Sequence, residues 1–465
     1  MKKIDMERDK IDFGKAKIGP LFRSLFFPTL IGMISMSLAT IIDGIFVGRG
    51  VGADGIAAVN IVAPMWMVVT GLGLMFGIGA SVVASIQLAE GNTKAARIIL
   101  TQAFGVGFVL TVLMCSVFLT WPRQMAYAMG CSPRLESQAL DYMLWLLPGM
   151  VFLFWQCVGM MLIRLDGSPR FAMWLQVASS ATNIVLDWIF VFPLGMGVKG
   201  AAIATAIACG VGGVLSLVYF IWFSSTLKFY RLKMSVTSAA LTLRNTWYMV
   251  KMGSPTFVTE VSMSVTMLAG NYMFMSMLRE DGVAAFAVAC YLFPVIFSVN
   301  NAVAQAAQPI ISFNFGAGNI ERVERALRVS LFTAVLCGLG VTSVLSVFAT
   351  PVVSMFLNRS EPAFALATHG LPLFSVCAMF FAVNVALIGY YQSIACSKTS
   401  TIYTLLRGFI FVVPSFMFLP VAIGTPGLWL AIAVSEMLTT VVILSVYFFN
   451  RKCTPKGEIA GADGK

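Results

Sequence analysis

The chain has 465 residues, of which 59% are hydrophobic and only 11% are charged. Soluble domains carry about 25% charged residues, so a soluble chain of this length would lack the polar surface that its domains need. A mean hydropathy of +0.88 also excludes disordered, collagen-like and disulfide-rich secreted proteins. Long apolar runs without strand-like alternation exclude a β-barrel and predict an all-α polytopic membrane protein.

The net charge of +11 does not indicate a nucleic-acid partner, because the basic residues lie in the tails and in short loops. Cytoplasmic loops of membrane proteins hold an excess of Lys and Arg. With both termini in the cytoplasm, only six of the 31 basic residues lie outside, and Arg407 lies within a span. We therefore expect a multi-pass protein of a bacterial-type inner (plasma) membrane with both termini cytoplasmic. The single histidine, His369, excludes a metal site built from several histidines.

Apolar windows of about 20 residues predict twelve transmembrane helices in two halves of six. The predicted domains are an N-terminal tail (1–20), a first lobe (21–224), a basic cytoplasmic linker (225–245), a second lobe (246–450) and a C-terminal tail (451–465). The predicted spans are 21–48, 56–88, 96–121, 136–163, 170–194, 199–224, 246–278, 283–313, 325–349, 362–391, 399–422 and 426–450.

Turn and helix-breaking residues recur at one offset of 227 residues, which indicates an internal repeat. Six helices separate the copies, so equivalent helices point the same way. This arrangement is a parallel repeat about an axis along the membrane normal, as in some transporters. The recurring pairs are Pro28 with Pro255, Asp54-Gly55 with Asp281-Gly282, Ala57-Ala58 with Ala284-Ala285, Gly91-Asn92 with Gly318-Asn319, and Gly200 with Gly427.

Pro28 and Pro255 each lie in the first turns of the leading helix of a lobe. A proline lacks the N–H that would continue the helical hydrogen-bond ladder, so it permits a bend. We expect both positions to be helix-bend sites, with Pro28 allowing the first helix to change its contacts.

Acidic residues inside apolar spans indicate function, because a charge at a helix centre costs roughly 2.5–3.5 kcal/mol on insertion. At 1.5 Å per residue, Asp43, Asp187 and Thr205 reach a similar level in the outer part of the bilayer. Asn183 lies four residues before Asp187 and shares its helix face. These oxygens can hold a small hard cation, or the two carboxylates can share a proton. The alternative is that Asp43 sits near the outer interface and simply reaches water.

Two further acids, Glu260 and Glu436, belong to the second half, and each is predicted near the bilayer midplane at a depth of about 14 Å. The first half has no acidic equivalent of either residue. A negative group at this depth suits a cationic substrate or a second coupling site. Alternatively, each is a locally hydrogen-bonded carboxyl that tightens packing.

Seven segments, in this order and spacing, resemble the multidrug and toxic compound extrusion (MATE) family of cation-coupled antiporters. The resemblance spans nearly the whole chain. It implies two six-helix bundles related by a pseudo-twofold axis. The segments are Ile42–Gly48, Ile163–Pro169, Asn183–Asp187, Gly200–Thr205, Gly253–Pro255, Gly316–Asn319 and Gly427–Trp429.

The resemblance also implies a cation-coupling site in the first lobe, at the positions matched here by Asp43, Asn183, Asp187 and Thr205. Glu260 is similar to the acidic residue that many members place in helix seven. Some branches carry an aspartate in helix ten, where this chain offers Asn384. Because that acid is missing, we expect coupling through the first lobe.

The implied function is a monomeric secondary antiporter that exports amphipathic, often cationic, drugs or metabolites in exchange for H⁺ or Na⁺ by alternating access. No cofactor is expected besides the coupling ion. Flippases for lipid-linked saccharides share the architecture and are the alternative. A membrane enzyme is not expected, because clustered metal-binding aspartates and histidines are missing from the sequence. A two-lobe repeat with buried acids also suits alternating access better than a channel.

The bias of basic residues makes the orientation testable by cysteine labelling. In a cysteine-free background, a cysteine at Ser360 should react with an impermeant reagent from outside the cell. A cysteine at Thr237 should react only after the membrane is permeabilised. The reverse pattern would overturn the orientation, and the direction of transport with it.

Overall fold

The computed structural model describes residues 12–131, 133–232, 235–357, 359–360 and 362–449. The predicted C-terminal tail (451–465) and the first eleven residues of the predicted N-terminal tail (1–20) lie outside these ranges. The described residues form helices joined by short turns, and none of them is in a β-strand.

Fifteen α-helices make up the described chain, and two of them are extended by π-helical turns at Tyr219–Phe223 and Leu406–Ile410. The helices are α1 Ile18–Gly50, α2 Ala53–Ala89, α3 Thr93–Thr120, α4 Pro122–Ala128, α5 Glu136–Leu165, α6 Pro169–Val191, α7 Gly197–Val218, α8 Val236–Gly316, α9 Ile320–Val347, α10 Ala349–Val353, α11 Pro362–Ser375, α12 Cys377–Ser393, α13 Ser397–Leu405, α14 Val412–Ile423 and α15 Thr425–Phe449.

Eleven helical segments of the described residues are long and apolar enough to cross a membrane. Two of them, Ser238–Arg279 and Asp281–Gly316, are the two parts of α8. Helix α6 has 23 residues, about 34 Å of helix, and is more polar because it carries Gln176, Asn183 and Asp187. The predicted all-α membrane architecture is therefore confirmed.

The chain divides into two compact units. The first comprises the residues up to Phe257 together with Gly316–Gly318, and the second comprises Val258–Phe315 and the chain from Asn319 onward. In the first unit, α5 packs against α2 and α7, while α6 packs against α1 and α7. Helix α1 continues without interruption through Pro28.

The predicted linker, 225–245, is bound to the first unit. The Asp166 carboxylate accepts hydrogen bonds from the backbone N–H groups of Thr226 (3.1 Å) and Leu227 (2.8 Å). Further along, Gln102 on α3 donates to the Thr242 hydroxyl (2.9 Å) and accepts from the Asn245 amide (2.8 Å). The chain crosses into the second unit later, within α8 and two residues after Pro255.

In the second unit, α12 packs against α9, α13 and α15, and α11 and α14 pack against α15. An aromatic cluster fixes the core. The Phe274 ring stacks on Phe286 at 4.6 Å and meets Trp429 edge-on at 5.0 Å. Such pairs add about 0.5–1.5 kcal/mol each beyond the area that they bury. Gly370 makes room for the Trp429 ring, because a Cβ at this position would lie 1.9 Å from it.

The same backbone turn joins the first two long helices of each half. In the first half, Gly52 between α1 and α2 has φ 94° and ψ −167°. In the second half, Arg279 breaks α8 with φ 55° and ψ −146°, at the offset of the sequence repeat. These φ and ψ values lie close to a region that almost only glycine adopts, and a residue with a side chain is strained there by about 1–3 kcal/mol. Two more pairs of positive-φ residues occur at the same offset, Gly91 with Gly318 and Gly197 with Gly424.

Relieving this strain should stabilise the protein. Arg279→Gly should raise the thermal unfolding midpoint of the purified protein by a few degrees, because the strain removed exceeds the added chain entropy of glycine, about 0.5–1 kcal/mol. Arg359→Gly, which removes the same charge, is the control and should bring no gain. An equal or lower midpoint for Arg279→Gly would show that the Arg279 side chain contributes more than its backbone costs.

Candidate cation site in the first unit

The structure brings together the four residues predicted for the first-lobe site. Asp43 lies on α1, Asn183 and Asp187 on α6, and Thr205 on α7. The carboxyl groups of Asp43 and Asp187 lie close enough to interact electrostatically. The Asn183 amide donates a hydrogen bond to the Thr205 hydroxyl at 3.2 Å. The four side chains thus form one cluster across three helices.

Close packing of α1 against α6 puts the two acids at one level. A Cβ at Gly32 would lie 2.7 Å from the Gln176 side-chain oxygen, so the helices meet closely at that point. They meet again further along, where a Cβ at Gly50 would lie 2.2 Å from the Val191 side chain. The contact that comes first along α1 also comes first along α6, so the two helices run parallel. Asp43 follows Gly32 by eleven residues, and Asp187 follows Gln176 by eleven residues.

The two carboxyl groups lack a positive partner within the described part of the chain. Asp187 is fully buried, and neither of its oxygens forms a hydrogen bond in the described residues. One Asp43 oxygen is also buried without a hydrogen bond there. The polar groups beside the two acids are each other, Asn183 and Tyr142, with no Lys or Arg among them. A buried carboxylate needs a cation or a proton for neutralisation, so this cluster has the chemistry of a cation site.

Tyr142 on α5 belongs to the same cluster, although the sequence did not indicate it. Its buried ring lies within electrostatic range of both Asp43 and Asp187, and its hydroxyl lies next to that of Thr205. A tyrosine in an otherwise apolar helix carries no signal that distinguishes a site residue from a packing residue. Its hydroxyl adds a fifth residue to the cluster.

The oxygen-rich composition fits a hard cation such as Na⁺, since carboxylate, carbonyl and hydroxyl oxygens are the ligands that hard cations prefer. It equally fits a proton shared between two carboxyl groups. In the described residues, no group of three or more His, Cys, Asp or Glu side chains could hold a metal ion. The cluster therefore lacks the donors typical of a transition-metal centre.

In the second unit, Glu436 on α15 is engaged by neighbouring side chains. The Arg407 Nε lies 2.8 Å from one Glu436 oxygen, and the two side chains are only 5% and 6% exposed. The Asn384 amide donates to the other oxygen at 2.7 Å and to the Glu436 carbonyl at 2.8 Å. The Thr440 hydroxyl donates to the Asn384 oxygen at 2.9 Å. These contacts correspond to the packing alternative for Glu436 rather than to an open substrate site.

Arg407 is the residue that sequence reasoning left without a role. It lies in the π-helical turn Leu406–Ile410, a rare local geometry that is frequent at functional sites. Its guanidinium stacks over the Phe381 ring at 4.2 Å, and its carbonyl accepts a hydrogen bond from Ser435 at 3.0 Å. The sequence did offer one signal for this role. Arg407 is a charged residue inside a predicted span, and such a residue requires a buried partner.

Glu260 on α8 differs from Glu436. It is half-buried and lies within electrostatic range of Arg407, whose bonded partner is Glu436. Arg407 thus lies near two acids of the second unit. It forms an ion pair with Glu436, whereas Glu260 is only within electrostatic range. Beside Arg407 and Glu436 lies a cavity with room for about one water molecule, lined also by Ser262 and Thr266.

The Arg407–Glu436 pair makes a stability prediction. Arg407→Met should lower the thermal unfolding midpoint in detergent by the equivalent of about 3–5 kcal/mol, because it leaves a buried carboxylate without its cation. The double variant Arg407→Met/Glu436→Gln should recover most of the loss. Arg325→Met, which breaks an exposed pair with Glu321, is the control and should change little. A double variant less stable than Arg407→Met would contradict this account.

The sequence model of the MatE family matches two stretches of the chain, residues 28–189 and 255–417. The stretches begin at the two prolines of the internal repeat. The chain is 23% identical over 448 residues to the multidrug export protein MepA of Staphylococcus aureus strain MSSA476, covering 94% of this chain and 95% of that protein. It is 24% identical over 448 residues to MepA of Staphylococcus haemolyticus, covering 95% and 96%.

Solved structures share the fold. A MOP superfamily transporter from Pyrococcus furiosus superposes with a TM-score of 0.85 at 23% identity, covering 94% of this chain and 96% of that one. An outward-facing multidrug resistance MATE family transporter superposes with a TM-score of 0.87 at 23% identity, covering 93% and 96%. These similarities confirm the predicted two-lobe helical architecture. Because the family model covers more than half of its length, the chain belongs to the MatE family and is a membrane transporter rather than an enzyme.

Proposed function

We propose that this transporter exports small amphipathic organic compounds, many of them cationic, in exchange for H⁺ or Na⁺ by alternating access. The observation that supports it most strongly is the pair of Asp43, which is half-buried, and Asp187, which is fully buried, with no basic side chain among their polar neighbours. A site that requires a positive charge from outside the protein can exchange that charge for a substrate. Family membership supports the substrate class, since the relatives are multidrug export proteins.

In the proposed cycle, Asp43, Asn183, Asp187 and Thr205 bind the coupling cation, and Tyr142 contributes its hydroxyl oxygen. Binding of one H⁺ or Na⁺ lowers the total charge of the two carboxylates from −2 to −1, which reduces their mutual repulsion and changes how α1 packs against α6. Pro28 is the position at which α1 can bend in response. The coupling ion is the only cofactor in this scheme.

Glu260 has a separate role in the proposal. As a half-buried carboxylate it favours cationic over neutral substrates, with Arg407 nearby to limit its charge. Glu436 is engaged by Arg407 and Asn384 and serves the packing of the second unit. The proposed setting is a monomer in the plasma (inner) membrane with both termini cytoplasmic. The flippase alternative is not favoured, because the MepA relatives are multidrug export proteins.

Substitutions that remove the charge of each acid test the roles proposed for Asp43, Asp187 and Glu260. Asp43→Asn and Asp187→Asn preserve shape and much of the hydrogen bonding, so the protein should fold. Export of both a cationic dye and a neutral compound should fall to the level of empty proteoliposomes, because ion exchange supplies the driving force. Glu260→Gln should weaken export of the dye and spare the neutral compound. Efflux is measured under imposed proton and sodium gradients separately, which also identifies the coupling ion.

Asp141→Asn is the matched control, since Asp141 is an exposed carboxylate on α5 and should be dispensable. Retained coupling in both first-unit variants, together with complete loss in Glu260→Gln, would transfer the coupling site to the second unit. Passive ion flux without substrate in the unmodified protein would point to a channel instead.

A further inference from the structure

A groove lies along the contact between α5 and α7, and none of its lining residues belongs to the carboxylate cluster. Its volume is about 540 Å³, within the range of small-molecule pockets. It is lined by apolar residues, among them Trp145, Phe152, Ile203 and Val214. Several of them are exposed, including Trp145 at 45% and Val214 at 46%, so the groove opens to the surroundings of the first unit.

Small residues create the groove. Gly149 on α5 lets the helices meet closely, because a Cβ there would lie 2.7 Å from the Ala206 backbone. At Gly210 on α7, by contrast, a Cβ would meet nothing within 4 Å. The missing side chain at Gly210 therefore leaves open space in the groove wall rather than accommodating a neighbouring helix.

The dimensions match one leaflet of a bilayer. From Ile203 to Val214 the groove follows eleven residues of α7, roughly 16 Å. The hydrocarbon core of a bilayer is about 30 Å thick, so the groove covers about half of it. An extended acyl chain of a single lipid has this reach.

A positive charge stands at one end. The Lys199 ammonium lies 4.7 Å from the centre of the Trp145 ring, and Lys199 precedes the groove residue Ile203 by one helical turn. Among the described residues no carboxylate forms an ion pair with Lys199. Tryptophan and lysine are typical of the membrane–water interface, where lipid phosphates lie.

We propose that this groove binds one anionic phospholipid, with an acyl chain lying along Gly210 and the lipid phosphate paired with Lys199. The apolar lining favours binding because it shields the acyl chain from water. The Lys199 ammonium selects a negatively charged headgroup over a zwitterionic one. The site does not depend on the transport mechanism proposed above, because it shares no side chain with the carboxylate cluster.

The test uses the purified full chain, stripped of lipid and titrated in native mass spectrometry. The probes are phosphatidylglycerol and phosphatidylcholine with identical acyl chains. The unmodified protein should bind phosphatidylglycerol more tightly. Lys199→Gln should reduce that preference by about fivefold, the effect of one basic residue near a lipid surface, whereas Lys199→Arg should keep it.

Gly210→Phe places a ring in the groove, since a Cβ at Gly210 meets nothing within 4 Å, and should remove one bound lipid of either type. Gly105→Phe is its control, since Gly105 on α3 also has open space around it and lies outside the groove. Unchanged headgroup preference in Lys199→Gln, or equal lipid loss in both phenylalanine variants, would overturn the proposal. The proposal would also be overturned if the unmodified protein formed a dimer and Gly210→Phe disrupted it. A second copy of the protein would then occupy the groove.

Discussion

A carboxylate surrounded by hydrocarbon has no water to stabilise its charge, so the protein must supply a neutralising partner or leave a place for one. The two units satisfy this requirement differently. In the second unit, Arg407 neutralises Glu436 permanently, because a guanidinium does not lose its proton in a protein. In the first unit, Asp43 and Asp187 have no such partner among their electrostatic neighbours. The two lobes therefore differ in how their acids are neutralised, although they share one internal repeat.

Helix packing through small residues keeps the acids of the first unit together. Hydrophobic driving force between helices is weak in lipid, so close backbone contact and interhelical hydrogen bonds contribute much of the stability. Gly32 and Gly50 bring α1 against α6 on either side of Asp43. Gly149 does the same for α5 and α7, the helices that carry Tyr142 and Thr205. A larger residue at one of these glycines would separate oxygens that the proposed cation site holds at one level.

Most of the architecture was predictable, because few kinds of backbone structure are stable in a lipid bilayer. Span length and the 227-residue offset predicted the helices and the repeat, and a helical rise of 1.5 Å per residue predicted Asp43, Asp187 and Thr205 at one level. The contacts of Arg407 were not predictable, because Glu436 lies 29 residues away on another helix and the π-helical turn has no sequence signature. Tyr142 was missed for a similar reason. Its role depends on which helices become neighbours, which periodicity alone does not determine.

The turn shared by Gly52 and Arg279 occurs with two very different residues. Their φ and ψ values are similar, although one position is glycine and the other holds one of the largest side chains. The long helices on both sides of Arg279 anchor the turn, so its geometry does not require a glycine. A search for such turns by glycine alone would therefore find the first and miss the second.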